Sequence, residues 1–69
     1  MKTKENIRVE GYRGTWYVID EAVRDGRRYY LLESEKWGDE APNLLTDAEM
    51  NVIADDMYDN IEEQLDCSL

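Results

Sequence analysis

Ala22-Val23-Arg24-Asp25-Gly26-Arg27-Arg28-Tyr29 decides the fold class of this chain. Asp-Gly is the preferred pair for a two-residue type I′ hairpin turn, because both central positions need φ > 0 and the twist of the turn matches that of the strands. The flanks, Thr15 to Val23 and Arg27 to Glu35, are rich in β-branched and aromatic residues and read as the two strands. A two-residue loop sets Arg24 against Arg27, Ala22 against Tyr29, Asp20 against Leu31 and Ile19 against Leu32. Strict alternation then puts Tyr17, Ile19, Val23, Tyr30 and Leu32 on one face, and Trp16, Val18, Ala22, Tyr29 and Leu31 on the other. Neither face is polar throughout, so both are expected to be covered at least in part. An isolated hairpin is marginal in water, so further elements must pack on it.

Upstream, Ile7-Arg8-Val9-Glu10 is a short candidate strand that completes a three-stranded meander. Downstream, Lys36 to Asn43 reads as a loop broken by Gly38 and Pro42. Two readings stay open beyond it. In the first, Thr46 caps a long helix with Glu49 as its capping-box partner and Leu45 and Met50 as a hydrophobic staple. Met50, Ile53, Ala54, Met57, Ile61 and Leu65 then form one apolar stripe. In the second, Asn43 to Thr46 and Met50 to Ala54 are short strands, and only about Asp55 to Leu65 is helical. Residue propensities favour the first, since Ala48, Glu49 and Met50 are good helix formers and poor turn formers. Both give one α+β domain over residues 1–69: an antiparallel β-meander of three to five strands packed against a C-terminal amphipathic helix.

Arg13 to Asp20, Tyr30 to Glu33 and Gly38 to Pro42 carry a resemblance to a known family. Over about Arg8 to Leu65 the chain resembles the small large-polyvalent-protein-associated domains carried on mobile genetic elements of Gram-positive gut bacteria. That likeness implies a setting and no catalytic motif. The family pattern commonly has an Asn-Gly type turn where this chain has Ala48-Glu49-Met50, and a strand leading into an acidic segment similar to Asp55-Asp56-Met57-Tyr58. The resemblance favours the second reading of residues 43–54, the chain departs from the family pattern at Ala48 to Met50, and both readings stay open.

Composition narrows the function. Seventeen Asp and Glu face eight Lys and Arg, for a net charge of −9, and there is no histidine. The commonest general base and metal ligand is thus absent. A lone cysteine, Cys67, cannot form an internal disulfide or a Cys-rich zinc site, and suits a reducing compartment. No apolar run reaches the length of a signal core or a membrane span, so a soluble, cytoplasmic protein is expected. With 69 residues there is little room for a cleft that separates the pKa values of paired carboxylates such as Glu33 and Glu35. The segment Asp55 to Glu62 lacks the spacing and the glycine of a calcium loop. No enzymatic activity, cofactor or metal is expected.

Charge is unevenly spread. Up to Leu32 there are seven basic and five acidic side chains; beyond it Lys36 stands alone against twelve acids. On a helix Asp55, Asp59, Glu62, Glu63 and Asp66 form a ridge at three- and four-residue steps, at a cost in like-charge repulsion. Such a ridge is either a solvated face or a contact for a partner. Trp16 and Tyr29 are most simply core; on a sheet face left uncovered by the helix they become a protein interface or a homodimer seam. The expected function is a non-enzymatic accessory protein of a mobile element, working through contacts with an unidentified protein partner. The alternative is an acidic nucleic-acid mimic that blocks a host DNA- or RNA-binding protein. Direct nucleic-acid binding is disfavoured by the net charge, despite Arg24, Arg27 and Arg28 at the hairpin tip.

Overall fold

The computed structural model describes residues 7–38, 40–57 and 60–69. Four strands, β1 (Trp16–Arg24), β2 (Arg27–Ser34), β3 (Asn43–Asp47) and β4 (Val52–Asp56), form an antiparallel sheet in sequence order. One helix, α1 (Ile61–Ser68), follows and packs against it. This is the expected α+β meander with a C-terminal helix.

The first hairpin forms as the turn chemistry requires, with Asp25 at φ 52° and Gly26 at φ 76°. Arg24 pairs with Arg27, Ala22 with Tyr29 and Asp20 with Leu31. Ile19 does not pair with Leu32; a bulge between Val18 and Asp20 hands that position to Val18. One extra residue in one strand exchanges the faces of everything beyond it. Trp16 and Val18 consequently pack with Leu32, whereas Ile19 and Ala22 pack with Tyr29 and Leu31.

Two apolar clusters result, one on each face. On the first, Ile61 and Leu65 of α1 close over Tyr29, Leu31 and Leu45, with Ile19, Ala22 and Ala54 at the margin. On the second, Val9, Trp16, Leu32 and Leu44 are buried, with Ile7, Tyr12, Val18, Tyr30, Met50 and Val52 around them. The segment from Ile7 to Tyr12 therefore covers the face that the helix leaves open. Ile7 does not start a strand; it makes a single two-hydrogen-bond bridge to Trp16, at 2.8 Å each way.

Residues 43–54 are a hairpin, so the long helix and its staple do not form. Thr46, the supposed cap, is fully buried in β3, and its hydroxyl donates to Met50 Sδ at 3.6 Å. Leu45 and Met50 belong to opposite clusters. Asp47 takes the organising role. Its carboxylate accepts the backbone N–H groups of Glu49 and Asn51, both at 2.9 Å, and the Asn51 side-chain amide at 3.2 Å. These bonds hold the chain through Met50, whose φ of 65° is unfavourable for a side chain of its kind. The helix is correspondingly short. Asn60 caps it by accepting Glu62 N–H at 2.8 Å, and Glu62 and Glu63 stand in the first turn, where the helix dipole favours negative charge.

Candidate functional site

The expected acidic ridge is divided among elements. Asp55 lies on β4 and not on the helix. Asp59 lies outside the described residues. Glu62, Glu63 and Asp66 are on α1 and exposed, but two of them are engaged. Arg24, at the end of β1, reaches across with Nη2 at 2.5 Å from Glu62 and Nη1 at 3.0 Å from Asp66. One guanidinium thus bridges successive turns of the helix, which its fork of donors suits. These two carboxylates, Glu62 first, hold the Arg24 pKa above its ordinary value. The clamp pins α1 to β1 and offsets one of the three negative charges of the helix.

Asp55 accepts the Tyr12 hydroxyl at 3.3 Å, which ties the N-terminal segment to β4. Burial first, and then the Asp55 carboxylate, push the Tyr12 phenol up. The Tyr17 phenol is likewise pushed up, chiefly by its hydrogen bond to Glu33. Among the described residues, no three potential metal-ligating side chains of the His, Cys, Asp and Glu types converge.

Trp16 and Tyr29 are 6% and 7% exposed and sit in different clusters. They do not share an open face, and the contact surface expected there is corrected to core. The physical reason is the bulge at Ile19 combined with the Ile7 to Tyr12 cover. Trp16 also meets Tyr12 edge to face, ring centroids 6.2 Å apart.

Among the described residues the exposed aromatic is Trp37. It is 56% exposed, on the connection between β2 and β3. Its position is fixed from below: Trp37 N–H donates to Ser34 Oγ at 3.1 Å, and Gly38 N–H donates to the Ser34 carbonyl at 2.9 Å. Lys36 Nζ lies 5.2 Å from the ring centroid, within cation–π range. Arg13, Gly14, Ser34, Lys36 and Trp37 line a shallow cleft of about 260 Å³. A sequence signal did exist, since Trp37 stands between Lys36 and Gly38 in a segment without apolar periodicity.

Wider hollows occur beside β4 (about 460 Å³, flanked by Tyr12 and Asp55) and between the two hairpin tips (about 580 Å³, flanked by Arg27, Asp47 and Ile53). Both are open surfaces. No helix among the described residues is long and apolar enough to cross a membrane.

The chain belongs to the family described as large polyvalent protein-associated domain 18, whose model matches residues 1–66. No curated protein and no solved structure matches it.

Proposed function

We propose that this protein is a non-enzymatic accessory module of a mobile element that works in the cytoplasm through protein contacts, with Trp37 at the centre of its contact surface. The carrying observation is an exposed tryptophan held on an ordered turn. Tryptophan is enriched among residues that dominate binding energy. A side chain whose backbone is already fixed by Ser34 gives up little freedom on docking. Arg13 and Lys36 beside it add two of the chain's eight cations, which favours an acidic or carboxylate-bearing counterpart. The family description supports an accessory role beside large polyvalent proteins. A single cysteine, Cys67, exposed on the helix, is consistent with a reducing compartment.

Nucleic-acid mimicry has less support, because the row of carboxylates it requires is broken. Asp55 stands on a strand, and Glu62 and Asp66 face Arg24. The test is photo-crosslinking from position 37 in host cells, compared with the same probe at Glu63 on the exposed side of α1. Adducts from position 37, together with loss of partner capture by a folded Trp37→Ala variant, are the expected result. Adducts confined to position 63 with a basic nucleic-acid-binding protein would reverse the order of the two readings.

A further inference from the structure

One end of the sheet carries two opposite patches of matching composition. The pairings Trp16 with Ser34, Leu32 with Leu44 and Asn43 with Asp56 place the start of β1, the end of β2, the start of β3 and the end of β4 at that end. On the β1–β2 side, Trp37 stands beside Arg13 and Lys36. On the β4 side, Met57 is 55% exposed and follows Asp55 and Asp56, both exposed. Among the described residues none of these four charged side chains is in an ion pair. At the opposite end Arg24 and Arg28 are paired, with Glu62 and Asp66 and with Glu21, while Arg27 is in no ion pair among the described residues. Among the described residues the Asp55 and Asp56 carboxylates accept neutral donors, Tyr12 OH and Met57 N–H.

We infer that the partner of this end is a second copy of the chain: the Arg13–Lys36–Trp37 patch of one copy takes the Asp55–Asp56–Met57 patch of the other, and the reverse. A closed two-fold contact requires two complementary patches on one surface. A two-fold axis normal to the sheet at this end sets the β1–β2 side of one copy against the β4 side of the other, so both patches are used at once. Two carboxylates then meet two cations, and a flexible thioether meets an indole, a favourable sulfur–aromatic pairing. The −9 charge of each copy opposes association at long range. That repulsion is largely screened beyond about 8 Å at physiological salt, whereas pairs in contact are screened much less. The inference rests on Trp37 being a contact residue and names what it contacts.

The test is sedimentation equilibrium of the purified chain at physiological salt over a range of concentrations. The expected mass rises toward twice the 8.2 kDa of the chain. Trp37→Ala should weaken self-association roughly thirtyfold or more, the effect of a dominant interface residue. A charge exchange adds a stricter requirement. Arg13→Glu with Lys36→Glu, and separately Asp55→Lys with Asp56→Lys, should each be monomeric alone and should dimerise when mixed. If a doubly changed chain fails to fold by circular dichroism, Lys36→Glu and Asp56→Lys alone serve as the pair. A wild-type chain that stays monomeric throughout overturns the inference; if it still crosslinks to another protein from position 37, the contact reading survives. A dimer indifferent to Trp37→Ala and to the charge exchange overturns both.

Discussion

Leu65→Ala probes how the helix is held. Leu65 is fully buried, with Tyr29, Leu31, Leu45 and Ile61 in the same cluster. The substitution removes three carbons, about 2 kcal/mol of transfer free energy at ~0.8 kcal/mol per methylene. A residual cavity raises this to about 3 kcal/mol or more, because strands β2 and β3 cannot collapse into the space without breaking their ladder. A chain of 69 residues has a total stability on the order of 3–10 kcal/mol. The variant should therefore lose a third or more of its stability. An eight-residue helix does not persist in water without its docking face, so helical signal and sheet stability should fall together. Urea unfolding, followed by far-ultraviolet circular dichroism and by tryptophan fluorescence, measures both. Trp16, in the opposite cluster, reports on the sheet. A loss under about 1 kcal/mol, below the range for buried leucines, would mean that α1 does not close the core as described.

Further outcomes follow from the other elements. Trp16→Phe and Ile61→Val should destabilise additively, because they act in separate clusters on opposite faces; a coupling above about 0.5 kcal/mol in a double-mutant cycle would contradict the two-faced core. Asp47 is held below its ordinary carboxylate value, first by the Asn51 backbone N–H. Its contribution is therefore fully present above about pH 3.9, the unperturbed aspartate value, and is lost as pH falls through the depressed one. In acid titrations of stability Asp47→Asn should flatten that limb, and an unchanged profile would show that the turn does not depend on the charge. Arg24→Met should loosen α1 and remove part of the salt dependence of unfolding, since exposed pairs are screened by salt; equal salt dependence in variant and parent would remove the clamp from the account.

Much of the fold was legible because a few residues have narrow conformational demands. Asp25-Gly26 specified the first turn, its strands and the register next to it. The bulge at Ile19 was not legible, because β-branched and aromatic residues occur on both sides of it and either parity fills both faces with apolar groups. That one insertion decided that Trp16 and Tyr29 are core on opposite faces. Residues 48–50 were misjudged by propensity, since Ala, Glu and Met favour helix in isolation. The Asp47 carboxylate supplied the turn's hydrogen bonds locally, and burial of Thr46 and Leu45 in the sheet outweighed a few tenths of a kcal/mol of helical preference per residue. The family resemblance pointed to the hairpin where propensity did not. Of the candidate contact residues, Glu62, Glu63 and Asp66 are on the helix as expected, whereas Asp55 is on β4. Trp37 was missed because tryptophan in so small a domain is most often buried, and its exposure depends on how Ser34 anchors the connection.

The central claim, that Trp37 is the contact residue while Trp16 is core, is tested most directly by fluorine NMR of the chain labelled with 5-fluorotryptophan. Its two tryptophans give two signals, assigned by Trp37→Phe. With rising protein concentration, and then in host lysate, the Trp37 signal is predicted to shift or broaden while that of Trp16 stays in place. A Trp37 signal unmoved under both conditions, or a Trp16 signal that moves in its stead, would contradict the account.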